Sequence, residues 1–479
     1  MEHKEDFHNA CAVVTQETGP REPWHDIHSR VQGPGTLDLL QNFEERWIGQ
    51  GGNADDLVSI EQKGIRTSAA EGSEDDDEFT WNTQLLRSID QRTAKLRVPD
   101  EEVVKLDDMQ GVIIDPEKPV KPAKRKTFLQ QILLKKLGRQ SEHFFVGQQV
   151  EDIEVARPLD YNREMRVDSS AHKGMVHHIR NARHSIYIES QYFLSSSFLW
   201  EDKTPKCCNL VAAEIAYKIC EKIEAGERFA AYIVVPMWPE GLPDSSSVQD
   251  ILGYQADTMK AMYKLIQQSI DRRRKELESI GEEEASAFED ITPTDYLNFY
   301  CLANREIEEG GVDKSTGGLL NRTRRHLVYT HSKMTIVDDA IIMCGSANIN
   351  QRSLDGGRDS ELLMASWQPH YLATKESVPN GDVHGFRLHC FAHLTGVMED
   401  AFREPSSLEC VRLVNEIAME NWEKYTQDEV CEMTSYLVPF PISVDSDGDI
   451  WPLTENGNFP DTDSAILGSP GNLPKYLTT

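Results

Sequence analysis

Residues 334–337 and 340–344 are two short apolar runs with only Asp338 and Asp339 between them. Such runs, parted by a turn-forming acidic pair, predict a hairpin of two buried strands, and so a sheet around which the rest of the chain must pack. The residues flanking the hairpin carry chemistry. His331 and Lys333 are two apart and would share one face of a strand; Ser346 and Asn348 stand in the same relation just past the second run. Closing the hairpin brings an imidazole, an ammonium, a hydroxyl and a carboxamide to one spot. That set suits a phosphate group: lysine supplies charge, while serine and asparagine donate to non-bridging oxygens. A histidine there can attack phosphorus or donate a proton. Asp359 and Glu361 follow on a further strand-like stretch. A carboxylate behind the imidazole would fix its tautomer and raise its pKa. A lone histidine in a strand is ordinarily just a packed polar residue, so the weight rests on the whole pattern of His331, Lys333, Asp338, Gly345, Ser346 and Asn348. Asp338 ends one run and precedes a second Asp, which assigns it to holding the turn rather than to touching phosphate.

The surrounding chain reads as α/β. Residues 185–194 and 228–236 are rich in aromatic and β-branched residues and predict strands, as do 296–302 and 326–344. A long helix is expected over 248–277, and helices between strands imply a mixed β-sheet packed by helices on both faces. At 479 residues the chain has room for about two to four domains. Four regions separate: 1–60, with a helical face of Leu39, Leu40, Phe43 and Trp47; 61–170, a partly disordered linker or insertion; 171–400, the α/β lobe; and 401–479, a helical and irregular C-terminal extension beginning with a helix near 406–425. Within the insertion, 71–79 is an acidic run. Residues 118–139 are a proline-broken basic stretch with an amphipathic end, read either as a solvated insertion or as a patch for anionic lipid.

Charge and cysteine usage limit the partners. Lys+Arg number 50 and Asp+Glu 80, a net charge of −30, which repels nucleic-acid backbones and anionic membranes alike unless a cation or basic patch intervenes. Nucleic acid is therefore not an expected partner. Nine cysteines without any Cys-x-x-Cys pair fit reduced thiols in the cytoplasm. The charged start has no apolar core of a secretory signal, and the longest apolar stretch, 229–238, is half the ~20 residues that span a bilayer. A cytoplasmic location with only peripheral membrane contact is expected.

The hairpin segment resembles the second of the two HKD motifs of the phospholipase D superfamily. The likeness extends to GSANINQRSLDGGRDSE, YIESQYFLSSSF, VVPMWPEG, GPREPWHDIHSR, FEERW and TWNTQLLRSID, which resemble plant-type phospholipase D over nearly the whole chain apart from about 91–165. The resemblance implies hydrolysis of phosphatidylcholine and related phospholipids to phosphatidate and a free head group, through a phosphohistidine. It implies that His331 is the acid/base of a histidine pair. Lys333, Ser346, Asn348 and Gln191 would hold the phosphoryl oxygens, and Glu361 would orient His331. It also implies calcium, with His25 as a ligand.

Two departures qualify this. Only one H-x-K occurs, so the chain is expected to be a C-terminal half carrying the second motif, with residues 1–60 a remnant of the first lobe. A homodimer or a separate N-terminal half would have to complete the site. The alternative is a non-catalytic fragment that binds lipid head groups. In addition, Ala392 stands where the family has a glutamate, which leaves the calcium set short of an oxygen ligand.

Overall fold

The computed structural model describes residues 23–58, 80–90, 93–94, 167–201, 207–281, 286, 288–307, 323–374 and 379–469. The acidic run at 71–79 and the basic stretch at 118–139 lie outside them. The described residues build an α/β structure on one large mixed sheet. Its strands are β1 (Trp24–His25), β2 (Asn82–Asp90), β3 (Val167–Asp168), β4 (Ser185–Ser190), β5 (Ala230–Val234), β6 (Leu297–Arg305), β7 (Arg325–Thr330), β8 (Lys333–Val337), β9 (Ile341–Gly345), β10 (Glu361–Trp367) and β11 (Leu437–Pro439). The order across the sheet is β1-β7-β6-β5-β4-β8-β9-β10-β2-β3, with β11 pairing antiparallel to β6. The helices are α1 (Thr36–Gly49), α2 (Ser170–Asn181), α3 (Val211–Ala225), α4 (Ser246–Glu278), α5 (Gln351–Leu354), α6 (Asp382–Thr395) and α7 (Leu408–Thr426). A small hairpin, β12 (Ile442–Val444) with β13 (Ile450–Pro452), follows the sheet.

Strand alternation explains why both faces are covered. Ile186 and Ile188 of β4, with Ala231 and Ile233 of β5, join a core with α2, α3 and α4. The intervening Tyr187 and Tyr232 join a second core with α6 and α7 on the other face. The 326–344 stretch divides into three strands: residues 331–332 carry the chain from β7 to β8, which runs in the same direction, and Asp338-Asp339 turns it back into β9. Both aspartates have positive φ, 55° and 54°, a region Asp tolerates better than most residues.

Two expectations need correction. Residues 82–90, inside the expected insertion, form a nine-residue strand paired antiparallel along the whole of β10. Its first residues are exposed, whereas Leu86, Ser88, Ile89 and Asp90 toward its far end are buried. The α1 helix forms where the apolar spacing put it, but it is inverted. Phe43 is 54% exposed, whereas Glu45 is 1% exposed. The reason is electrostatic. Glu45 Oε2 accepts from Arg87 Nη1 at 2.7 Å, and Arg87 also donates to Asp168 at 3.0 Å, so this ion pair turns the polar face inward. Phe43→Ser should therefore change stability by no more than about 0.5 kcal/mol. Glu45→Ala should cost about 2 kcal/mol by stripping a buried charge partner. Urea denaturation of the two variants measures both, and the reverse order of costs would contradict this packing.

The C-terminal extension is tied to the sheet rather than appended to it. The last carbonyls of a helix lack intrahelical partners and carry negative partial charge. Here Arg305 donates to the carbonyls of Lys424 and Gln427, and Arg325 to those of Tyr425, Thr426 and Gln427. Arg325 also pairs with Asp461 at 2.6 Å. Two sheet residues thus cap α7 and hold the segment beyond it against β7, the strand that leads into His331.

Candidate active site

The antiparallel β8–β9 pairing sets Met334 opposite Cys344 and Val337 opposite Ile341, so the strand ends carrying Lys333 and Ser346 meet. Glycine is required at 345. A Cβ there would lie 2.1 Å from the carbonyl oxygen of Leu362, so only a bare backbone lets β10 approach. The antiparallel β4–β8 pair sets Ser190 opposite Lys333 and so brings Gln191, just past β4, beside that lysine. Three expected site residues, Gln191, Lys333 and Asn348, therefore come together. Gln191 Oε1 accepts from Lys333 Nζ at 2.9 Å and from Asn348 Nδ2 at 3.2 Å. Gln191 Nε2 donates to the Tyr329 hydroxyl at 3.2 Å, which sets the amide's orientation. The amide oxygen thus sits where the Lys333 and Asn348 donors converge. Lys333 also donates to the His331 carbonyl. Burial depresses its ammonium to about 8, only partly offset by Asp26 and Glu361.

His331 lies at the rim, partly exposed. The carboxylate on its ring is Asp26, not Glu361: Nδ1 is 2.8 Å from Asp26 Oδ2. Burial raises the Asp26 carboxyl, but the bond to His331, the Ile27 N–H and the charges of His331 and Lys333 outweigh it and leave it lowered. Glu361 instead accepts from Ser346 Oγ at 2.6 Å and from Ser353 Oγ at 2.8 Å, and burial raises its carboxyl. Its strand β10 is separated from β8 by β9, which puts Ser346 rather than His331 within its reach. Nδ1 of His331 being engaged, Nε2 is the nitrogen left for chemistry. The indole of Trp24 lies 4.7 Å from the imidazole and 5.1 Å from Tyr329.

Asp26 and Trp24 were missed by sequence reasoning, although both sit in the PREPWHDIHSR segment that singled out His25. Strand alternation was the available signal, because His25 and Asp26 cannot share a face. The two-residue β1 pairs parallel with β7, with Trp24 opposite Tyr329, and the His331 N–H donates to the His25 carbonyl at 2.8 Å. That register delivers Asp26 to His331 and turns His25 inward.

His25 meets Glu189, a fully buried carboxylate at the end of β4, with Nε2 at 2.9 Å. Glu189 also accepts from Tyr187 OH at 2.6 Å and from Ser332 Oγ at 2.5 Å. Burial would raise Glu189, but His25, Ser332 and Tyr187 outweigh it and hold its pKa low. This set does not fit calcium, the metal implied for His25. Calcium needs several oxygen ligands. Here one imidazole nitrogen is committed to a carboxylate already engaged by two hydroxyls, and Ala392 offers no donor. Among the described residues no cluster of three or more His, Cys, Asp and Glu has the spacing of a metal site. No step below involves calcium.

Asp338 supports the site from behind. Its carboxylate accepts the backbone N–H groups of Arg183, His184 and Ser185 at 2.7, 2.7 and 3.0 Å, which pins the start of β4 to the hairpin turn. Asp339 pairs with Arg387 and with His384 Nδ1 at 2.7 Å, which pins the same turn to α6. Among the described residues, no helix is long and apolar enough to cross a membrane.

Comparison with known proteins places this arrangement. The family model described as phospholipase D matches residues 1–146 and 117–468. Phospholipase D gamma 2 of Arabidopsis thaliana is 37% identical over 99% of this chain and 52% of that protein. Phospholipase D alpha 2 of Oryza sativa subsp. japonica is 37% identical over 100% of this chain and 53% of that protein. Phospholipase D alpha 1 of Zea mays is 38% identical, with the same coverage of both chains. The chain thus spans about half the length of the curated relatives it matches. It belongs to the phospholipase D family, and within it to the plant-type, HKD-bearing members.

Proposed function

We propose that this chain contributes His331 and its phosphate-binding set to phospholipase D-type hydrolysis of phosphatidylcholine and related phospholipids, at a membrane surface it meets peripherally. The observation that carries the reading is His331 itself: Nδ1 is held by Asp26, Nε2 is left for the substrate, and Lys333 and Asn348 converge beside it on one oxygen position. In the proposed sequence a second imidazole attacks phosphorus. A P–N bond forms as the bond to the head-group oxygen breaks, and His331 gives that oxygen its proton. His331 then takes a proton from water, whose oxygen displaces the phosphohistidine and yields phosphatidate. Lys333 and Asn348 stabilise the charge on the non-bridging oxygens once substrate displaces the Gln191 carbonyl. The second imidazole comes from another copy of the chain or from a separate N-terminal half.

Choline release from phosphatidylcholine vesicles by the purified chain tests this. Where a second copy completes the site, release is expected to rise more steeply than linearly with protein concentration. His331→Ala should lower it by about 10²–10⁴-fold, the range for a positioned acid–base group. Equal release by the variant would overturn the assignment. Phosphatidate binding without any release would instead favour a non-catalytic head-group-binding fragment.

A further inference from the structure

The position where the family resemblance puts calcium is occupied here by a row of imidazoles. His389 and His393 are one turn apart on α6, so both side chains rise from the same strip of the helix. Their rings are near parallel, 12° apart, with centroids 6.3 Å from each other. The row continues off the helix: the His25 ring stacks on His393 at 5.9 Å and 19°. Both helix histidines are exposed. Among the described residues, neither takes part in a hydrogen bond or an ion pair. His25 differs, because its Nε2 is held by Glu189.

We propose that His389 and His393 chelate a borderline divalent transition metal such as nickel, zinc or copper, with water completing its coordination. Donor chemistry chooses the metal. Imidazole nitrogens suit these ions, whereas calcium and magnesium require oxygens that this strip lacks. Spacing allows the chelate, because side chains four apart on a helix are neighbours and a rotamer change closes the two nitrogens onto one ion. The local field favours a cation. His393 stands in the last turn of α6, where the free carbonyls carry negative partial charge, and the buried Glu189 carboxylate lies behind His25. The metal would sit at the outer end of the row whose inner member, His25, adjoins Asp26 and hence His331. It binds beside the candidate active site and takes no ligand from it.

Isothermal titration of the full chain with nickel chloride tests the proposal, with calcium chloride as the comparison. One nickel site is expected that calcium does not compete for. His389→Ala and His393→Ala should each weaken it by at least about tenfold. A His177→Ala/His178→Ala variant, which removes a neighbouring histidine pair on another helix, should bind as the parent does. Nickel binding that survives loss of both His389 and His393, or that calcium displaces, would overturn the proposal. Neither histidine belongs to the set around His331, so choline release and nickel binding fail independently.

Discussion

Asp339→Asn should lower the free energy of unfolding by about 3 kcal/mol, a substantial share of the 5–15 kcal/mol by which a typical domain is stable. Asp339 and Arg387 are each 1% exposed. Arg387 Nε and Nη2 donate to the carboxylate at 3.0 and 2.7 Å, Nη1 donates to the Phe402 carbonyl, and the guanidinium lies over the Phe391 ring. Removing the carboxylate charge leaves an uncompensated guanidinium where water cannot reach it. Asparagine retains the shape and tolerates the positive φ at this turn, so the loss reports charge rather than backbone strain. The double variant Asp339→Asn/Arg387→Met should recover much of the deficit, since an apolar side chain of similar length needs no partner. Urea denaturation measures both. A single variant as stable as the parent would contradict the buried pair. The consequence reaches the site, because Asp339 fastens to α6 the turn that carries Asp338 and joins β8 to β9.

Acid should destabilise the fold between pH 6.5 and about 4, before most carboxylates are protonated. Burial lowers His172, His178 and His326 each to about 4; nearby positive charge adds to the effect at His172 and His178, whereas Glu306 partly opposes it at His326. His172 shows why. Its Nε2 accepts the Leu210 N–H at 3.0 Å at the entry to α3, a role only the neutral ring can play. Below pH 6.5 the unfolded chain takes up protons that the folded chain refuses, so stability falls with pH until the folded value is reached, then levels. A full shift of this size corresponds to about 3 kcal/mol per histidine, and partial solvent access reduces it to about 2. His172→Gln, which keeps an acceptor without a titrating proton, should flatten part of the decline in a pH series of thermal melts. A melting temperature constant from pH 7 to 4.5 would refute the assignment.

The site and the fold divide between what local pattern encodes and what it does not. The hairpin is legible because two apolar runs parted by two aspartates admit little else, and it fixes Lys333 near Ser346 and Asn348 without further information. Asp338 as a turn residue is legible for the same reason. The long helix at Ser246–Glu278 is legible as well, and strands β4 to β9 are legible in their aromatic and β-branched runs, whereas β2 was not. The carboxylate that holds His331 was not legible. Asp26 is 305 positions away, and Glu361, in the motif's own neighbourhood, was the nearer candidate by sequence. Likewise, the buried Glu189 gives no local sign that it will take His25 and Ser332, and the apolar spacing of α1 gives none that Arg87 will turn the helix over.

By itself, then, the sequence determined an α/β sheet, its family, and a set of polar side chains gathered by one hairpin, because each depends on residues close in the chain. Tertiary structure alone decided which carboxylate holds which imidazole, that His25 is locked to Glu189 rather than open to calcium, and that α6 brings two histidines into line with it. Those outcomes depend on strand register and on the competition of buried charges for partners, and both are settled only when distant segments pack.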